Sequence, residues 1–316
     1  MPIAENLKIQ FNQSEIAYMV RDDIKELFKH VPYVDRVFPY RNKFSIMCSF
    51  NELREFDTVI FVVEKDITRL RMFSLLHIKK RIGFSFSKKT NKYLTDIVFT
   101  EDTFQGMEKL FLTLLQPLNI KNIELRTLPR LSPDMAVIEN LKSTFSKFTK
   151  RLIIHTDTYA PSRKWPYFRI LIEKILANIK ENTCIILTGK RIDEYFLQSE
   201  KIIDLRGKTS LSQLAALFKI ADLVVGCDTG AMHLSRAVGT KSLVIYGPED
   251  PKITISSKNL EKIYPQFELP CKKNNDYFGI PFKNIKRCKL QICSSLDCLK
   301  NTSPQQVYEI IRKFLN

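Results

Sequence analysis

Long apolar runs are missing from this chain of 316 residues. No stretch approaches the roughly 20 apolar residues that a membrane-spanning helix needs. The opening residues carry neither the basic start nor the apolar stretch of a secretory signal. We therefore expect a cytoplasmic protein. Internal repeats are also missing, and the length is enough for two domains of ordinary size.

Sequence signatures of nucleic-acid binding are absent although the formal net charge is +16. The chain has no zinc-finger, RNA-recognition or helix-turn-helix pattern, so charge alone supports that function. A solvated basic surface is one interpretation. Attraction to the anionic inner leaflet of a membrane, at about 1 kcal/mol per nearby Lys or Arg, is another. We prefer the membrane surface as a partner and expect no nucleic acid.

No Cys-x-x-Cys pair, the tight spacing common in structural zinc sites, occurs in the sequence. Of the seven cysteines, four lie near the C-terminus: Cys271, Cys288, Cys293 and Cys298. Four thiols can hold zinc, but we expect reduced structural thiols and no metal. Disulfides are not expected in the cytosol.

Apolar periodicity predicts strands that alternate with helices along the whole chain. In the first half it predicts strands over 15–20 and 57–63 and helices over 22–30 and 67–77. In the second half it predicts strands over 151–155, 184–188, 221–225 and 242–246 and helices after Trp165, after Ser210, over 231–238 and over 304–315. Pro166 suits the first position of its helix, and Ser210 with Gln213 forms a capping box. This is the pattern of an α/β protein with parallel, doubly wound sheets, whose ligand sites lie beyond the carboxyl ends of the strands.

The loop and helix start at 226–233, Gly-Cys-Asp-Thr-Gly-Ala-Met-His, follow one of these predicted strands. They present the carboxyl group of Asp228, the hydroxyl of Thr229, bare backbone at Gly230 and the imidazole of His233. Free N–H groups at a helix start, with the positive end of its dipole, attract anions such as phosphate. A Gly-x-Gly-x-x-Gly motif is absent, which argues against a standard NAD-binding domain.

Several motifs in order resemble glycosyltransferase family 9, the heptosyltransferases of lipopolysaccharide core assembly and their relatives. The segments that carry the resemblance are Asp204 to Leu211, Asp228 to Leu234, Tyr246 to Pro251, Arg163-Lys164-Trp165-Pro166, Thr188-Gly189 and, more loosely, the cysteine-bearing tail up to Val307. They span roughly residues 150 to 316.

The resemblance implies the GT-B architecture, in which two Rossmann-like doubly wound domains face each other across a cleft. Residues 1–135 would be the acceptor-side domain, and residues 136–316 would be the donor-binding domain with a C-terminal helix. The implied reaction is inverting, metal-independent and cofactor-free. It moves heptose or a related sugar from a nucleotide-diphosphate sugar, such as ADP-heptose, to a lipid-linked saccharide of the lipopolysaccharide core.

The resemblance also implies a donor site. Lys164 would contact the donor diphosphate as a point charge, and Thr229 and Gly230 would bind it through hydroxyl and backbone N–H. Asp228 would contact the donor sugar, and His233 a phosphate or the sugar. Thr188 and Gly189 would touch the nucleotide. The alternatives are that Lys164 is an ordinary surface lysine, that the residues from Asp228 to Gly230 form an ordinary helix cap, and that His233 is a structural histidine.

One family feature is missing from the sequence. Family members usually open with an apolar strand and a Gly-Asp turn, whose aspartate is taken as the catalytic base, whereas residues 1–7 resemble the helix after that turn. The N-terminal domain should therefore be incomplete, with unpaired strand edges. Three explanations remain: a longer native protein, which we favour, an inactive homologue that still binds nucleotide sugar, or a substitute base among Asp22, Asp23 and Glu64.

Overall fold

The computed structural model describes residues 1–101, 103–125, 131–180, 182–192, 196–254, 257–267, 269–274, 276–290 and 292–315. The chain divides into two compact units. Unit 1 comprises Met1–Thr127, Lys252–Ile255 and Asn275–Ile285, and unit 2 comprises the rest. The domain boundary between residues 135 and 136 that the sequence analysis gave stays a prediction. No helix among the described residues is long and apolar enough to cross a membrane.

Unit 1 contains short parallel strands and short helices. Its elements are α1 (Pro2–Gln10), β1 (Ala17–Arg21), a 3₁₀ helix (Asp22–His30), β2 (Arg36–Tyr40), α2 (Lys43–Cys48), α3 (Phe50–Leu53), β3 (Thr58–Phe61), α4 (Ile67–Leu75), β4 (Lys80–Phe84), α5 (Lys88–Asn91), β5 (Asp96–Val98), α6 (Met107–Leu112) and a second 3₁₀ helix (Thr113–Leu118). Two antiparallel two-residue strands, Asp276–Tyr277 and Ile280–Pro281, also belong to unit 1.

The parallel strands of unit 1 form two separate sheets. β1 pairs with β2, and β3 pairs with β4, which pairs with β5. One apolar cluster nevertheless serves both sheets, since Phe38 of β2 and Phe61 of β3 lie in it and Met19 of β1 packs against it. The predicted absence of a first strand from this domain stays a prediction.

Unit 2 is built on one six-stranded parallel sheet. Its elements are α7 (Met135–Thr144), β6 (Lys150–His155), a 3₁₀ turn (Pro161–Arg163), α8 (Phe168–Leu176), β7 (Thr183–Thr188), β8 (Ile202–Asp204), α9 (Leu211–Ile220), β9 (Leu223–Cys227), α10 (Gly230–Ala237), β10 (Ser242–Ile245), β11 (Leu260–Ile263), α11 (Asp297–Lys300) and α12 (Pro304–Leu315). The strand order is β11-β10-β9-β6-β7-β8. This is the predicted doubly wound arrangement, and burial explains it: every residue of β7, β9 and β10 is buried.

Two local predictions in unit 2 have different outcomes. The capping box is confirmed, because the Ser210 hydroxyl accepts from the N–H of Gln213 at 3.2 Å and the side chain of Gln213 accepts from the N–H of Ser210 at 2.9 Å. The placement of Pro166 is wrong, because α8 begins at Phe168 and Tyr167 is its N-cap. The helix therefore begins two residues later than predicted, and the backbone N–H of Trp165 donates to Sγ of Cys227 in β9.

Candidate functional site

The six-stranded sheet of unit 2 has a topological switch point between β6 and β9. The chain runs outward from β6 through β7 to β8, then returns to β9 on the other side of β6 and continues to β10 and β11. The loops that follow β6 and β9 therefore leave the sheet side by side and then diverge. In open α/β sheets this crevice is where ligands bind.

The loop after β6 is fixed by Trp165. Its indole is fully buried and donates from Nε1 to the carbonyl oxygen of Thr302 at 2.9 Å. The backbone N–H of Trp165 donates to Sγ of Cys227, the last residue of β9, at 3.3 Å. The preceding residues, Arg163 and Lys164, therefore lie at the carboxyl end of β9. The positive charge of Lys164 acts on the thiol of Cys227, although burial dominates and raises the pKa of that thiol to about 12.

The start of α10 is not organised as an ordinary helix cap. Thr229 is the N-cap, but its side chain makes no capping hydrogen bond. Its Oγ1 is buried and has no hydrogen-bond partner among the described residues. A Cβ placed on Gly230 would meet no atom within 4 Å, so open space lies in front of this backbone. A buried hydroxyl without a partner costs free energy, and a bound anion would supply the missing partner.

Asp228 precedes this helix start and lies among cations. Burial raises the pKa of its carboxyl group, while His233, Arg163, Arg287 and Arg236, in that order, oppose the rise. Nε2 of His233 lies 3.8 Å from Oδ1 of Asp228. The carboxyl group can accept hydrogen bonds from hydroxyl groups of a sugar, and the surrounding cations can balance the charge of a diphosphate.

Glu249, Arg163 and Arg287 form an ion network that the sequence analysis missed. Oε1 of the buried Glu249 accepts from Arg163 and, at 2.9 Å, from Nη2 of Arg287. Burial raises the pKa of Glu249, and the two arginines oppose the rise. Glu249 and Arg163 stand inside motifs of the family resemblance, so those motifs were the available signal. Arg287 had none, because only the fold brings it to the loop after β10.

Thr188 and Gly189 lie at the end of β7, beside β6. The side chain of Thr188 is fully buried, and its hydroxyl lies 3.1 Å from Nδ1 of His155. Gly189 has a φ of +150°, and a Cβ there would come within 2.8 Å of Cβ of Asp157. These two residues therefore shape the neighbouring loop, and their predicted contact with a nucleotide stays a prediction.

The three substitute bases lie in unit 1, and each has a cationic partner. Asp22 pairs with Lys25 at 2.8 Å and with Arg41 at 2.7 Å, and these hydrogen bonds hold its pKa below the usual range. A lowered pKa makes Asp22 a weaker base.

The other two carboxylates differ in exposure. The exposed side chain of Asp23 pairs with Arg21 at 2.6 Å. Glu64 is more buried, accepts from the N–H of Asp66 at 2.8 Å, and lies 3.1 Å from Nε of Arg69.

The cysteines carry no disulfide, since all seven lie in the described part of the chain and are free. Cys288 and Cys298 are buried, whereas Cys271 is exposed and Cys293 is intermediate. Within the described ranges, no group of three or more His, Cys, Asp or Glu side chains could hold a metal ion.

Comparisons of the sequence identify a family. The model of glycosyltransferase family 9 (heptosyltransferase) matches residues 72–279, well over half of the chain. Lipopolysaccharide heptosyltransferase 1 of Campylobacter coli is 24% identical over 277 residues, which cover 79% of this chain and 80% of that protein. Lipopolysaccharide heptosyltransferase 2 of Salmonella typhimurium is 28% identical over 143 residues, 40% of this chain and 41% of that protein.

Comparisons of the structure agree on the fold. The ADP-heptose lipopolysaccharide heptosyltransferase II of E. coli has a TM-score of 0.74 at 18% identity, covering 99% of this chain and 93% of that chain. The E. coli heptosyltransferase solved with ADP-2-deoxy-2-fluoro heptose has a TM-score of 0.66 at 16% identity, covering 99% of this chain and 94% of that chain. The mixed α/β fold with parallel sheets is that of the GT-B heptosyltransferases. Together with the family match, this shows that the chain belongs to glycosyltransferase family 9, the heptosyltransferases of lipopolysaccharide biosynthesis.

Proposed function

We propose that this chain transfers heptose or a related sugar from ADP-heptose to a lipid-linked saccharide of the lipopolysaccharide core. The observation that carries the proposal is the switch-point site of unit 2, where Arg163 and His233 act on Asp228 at the start of α10 and Lys164 acts on the adjacent Cys227. The printed names of two similar proteins support the donor and the acceptor: a heptosyltransferase solved with an ADP-heptose analogue and a lipopolysaccharide heptosyltransferase.

In the proposed complex, the diphosphate lies at the start of α10. The hydroxyl of Thr229 and the N–H of Gly230 donate to it, and Lys164 and Arg163 balance its charge. When the glycosidic bond breaks, negative charge develops on the departing nucleotide diphosphate, and fixed cations and N–H groups stabilise it without a metal. Asp228 accepts from a hydroxyl of the donor sugar, and His233 binds next to it. Thr188 and Gly189, at the end of β7, contact the nucleotide part of the donor.

Donor binding should weaken strongly when Asp228 or His233 is replaced. Asp228→Ala and His233→Ala each remove one charge-assisted hydrogen bond, worth about 1.5–3 kcal/mol, so we expect about 10- to 150-fold weaker binding. Calorimetric titration with ADP-heptose measures this. Glu173→Ala and His77→Asn are matched controls, because His77 is exposed, Glu173 is partly exposed, and both lie outside the site. Unchanged affinity in both site variants would contradict the proposed site.

Thr229→Val should separate stability from binding. Valine has nearly the shape of threonine, and the hydroxyl it removes is buried without a partner. We therefore expect an unfolding free energy that is unchanged or up to about 1 kcal/mol higher, and about tenfold weaker binding of ADP-heptose. Urea unfolding and calorimetry measure the two quantities. Loss of stability with unchanged affinity would mean that Thr229 acts as an ordinary cap.

An alternative function is donor binding without transfer. It is motivated by the missing Gly-Asp turn, because loss of a general base costs about 10²–10⁴ in rate. A transfer assay with ADP-heptose and a heptose-deficient lipopolysaccharide acceptor distinguishes the two. Donor binding with no transfer supports the inactive homologue. Transfer that Glu64→Gln abolishes, while Asp23→Asn leaves it intact, would assign the base to Glu64.

We also propose that the protein works in the cytoplasm at the inner-membrane surface rather than on nucleic acid. The net charge of +16 attracts an anionic leaflet, and the proposed acceptor is anchored in one. Sedimentation with vesicles that contain phosphatidylglycerol should succeed at low salt and decline at high salt. Equally strong binding to neutral phosphatidylcholine vesicles would contradict the proposed attraction to an anionic membrane surface.

A further inference from the structure

The side chain of Tyr159 in unit 2 lies almost entirely in solvent. It is 93% exposed, whereas the neighbouring residues Thr158 and Ala160 are buried. Single exposed apolar side chains are normal on protein surfaces and by themselves indicate nothing. The position of Tyr159 makes it different, because it lies on the loop that leaves β6 at the switch point, where open α/β sheets bind ligands.

The loop that carries Tyr159 reaches across the carboxyl ends of three neighbouring strands. Its first residue, Thr156, donates from its backbone N–H to the carbonyl oxygen of Thr188 at the end of β7, at 3.1 Å. At the other end of the loop, Trp165 donates to Sγ of Cys227 at the end of β9. β6 lies between β7 and β9 in the sheet. Adjacent strands are about 4.8 Å apart, so the loop extends over roughly 10 Å, from the end of β7 to the end of β9.

The backbone next to Tyr159 is fixed on the β7 side of the loop. Arg191, in the segment after β7, donates to the carbonyl oxygen of Thr158 and, at 2.9 Å, to Oδ1 of Asp157. Oδ2 of Asp157 accepts from the backbone N–H of Lys190 at 3.0 Å. These bonds order the chain that leads to Tyr159 while its ring stays in solvent. A ligand that packs on the ring therefore incurs little cost for ordering the loop.

Tyr159 and the cations of the loop lie at opposite ends of it. Arg163 and Lys164 act on the residues at the end of β9, where the diphosphate is proposed to bind. Tyr159 is held beside the end of β7, where Thr188 and Gly189 are predicted to touch the nucleotide. A nucleotide whose diphosphate lies at β9 extends its base over β6 toward β7. The ring of Tyr159 lies along this path.

The chemistry of the ring suits the base of a nucleotide. Every nucleobase has a flat π face, and stacking on an aromatic side chain adds affinity whichever base is present. Phosphate oxygens gain little from the face of a ring, because the quadrupole of the ring makes that face negative. The phenol hydroxyl can stay in water while the ring is covered. The base is therefore the part of a nucleotide sugar that this exposed ring fits.

We propose that Tyr159 stacks on the nucleobase of the donor and is thus a further donor-binding residue. This inference rests on the proposed function, because it takes the diphosphate to lie at the start of α10. On binding, the base replaces water on the ring, and the hydrogen-bonded loop keeps its conformation. Stacking tolerates any base, so the ring contributes affinity and does not select the base.

Calorimetric titrations with ADP and with ADP-heptose test this assignment. Tyr159→Ala should weaken the binding of both ligands by the same factor, about 5- to 150-fold, which is the range that base stacking gives. Tyr159→Phe keeps the ring and should bind both ligands as the unchanged protein does. Phe99→Ala is the matched control, because Phe99 is also a highly exposed aromatic residue, at 74%, but follows β5 in unit 1.

Proton NMR of the bound nucleotide reports on the stacking itself. The adenine H2 and H8 signals of ADP should shift upfield on binding to the unchanged protein and to Tyr159→Phe, and less on binding to Tyr159→Ala. Urea unfolding should give the same free energy of unfolding for all these proteins, because the replaced side chains lie in solvent.

Several results would overturn the assignment. Tyr159→Ala could bind ADP within about twofold of the unchanged protein, or Tyr159→Phe could lose as much affinity, which would assign the effect to the hydroxyl. A loss for ADP-heptose alone would place the ring on the sugar. Equal adenine shifts in Tyr159→Ala would remove the ring from the base.

Failure of the proposed function gives a different result. If the unchanged protein bound neither ADP nor ADP-heptose, the donor site at the start of α10 would be wrong, and the assignment of Tyr159 would fall with it. An error confined to Tyr159 leaves binding by the unchanged protein intact. A raised KM for the acceptor in Tyr159→Ala, with unchanged ADP affinity, would place the acceptor saccharide on the ring and overturn the proposal.

Discussion

Trp165→Ala should lower the free energy of unfolding by about 3–5 kcal/mol, because it empties a large, fully buried site. The ring packs edge-on against Tyr167 at 5.6 Å and Phe168 at 5.3 Å between centroids. Its Nε1–H bond to Thr302 is lost as well, which leaves a buried carbonyl oxygen without that donor. Urea unfolding monitored by circular dichroism measures the change.

The same substitution should weaken donor binding at temperatures where the variant is folded, because Trp165 positions the loop that carries Arg163 and Lys164. Trp165→Phe is the matched control. It keeps an aromatic ring and the backbone N–H bond to Cys227 but loses the indole donor, so we expect a smaller loss of about 1–3 kcal/mol. A loss below about 1 kcal/mol for Trp165→Ala would show that the loop is held by other contacts.

The free energy of unfolding should fall by up to about 3 kcal/mol as the pH is lowered from 6.5 to 4, through His155 alone. Burial lowers the pKa of this histidine from 6.5 to about 4, and the nearby Asp157 only partly opposes this. Between these pH values the unfolded chain binds a proton at this ring and the folded protein does not. Stability therefore rises with pH across the window and is fully present above pH 6.5.

His155→Gln isolates this effect, since glutamine can still bond to Thr188 but does not titrate. The buried carboxyl groups of Asp228 and Glu249, whose pKa values are raised, act in the opposite direction but are the same in both proteins. Urea unfolding at several pH values should show a shallower decline for the variant between pH 6.5 and 4. Parallel curves for the two proteins would contradict a buried neutral His155.

Much of unit 2 was predictable from the sequence because its strands are continuous apolar runs and its helix starts use local chemistry. Ser210 and Gln213 cap α9 through bonds between residues three positions apart, so no tertiary information is needed. Pro166 shows the limit of such local rules. Proline suits a helix start, but the helix begins at Phe168, and the preceding Trp165 is held by a backbone bond to Cys227, 62 positions away.

The sequence by itself determined the alternation of strands and helices, the family, and the residues at the start of α10, because each depends on short-range patterns or on motif order. Only the tertiary structure decided that Glu249 joins Arg163 and Arg287, that Thr188 bonds to His155, and that the hydroxyl of Thr229 is left without a capping bond. These contacts join residues that are far apart in the chain or depend on a single rotamer. Their free energies come from burial, which no local pattern records.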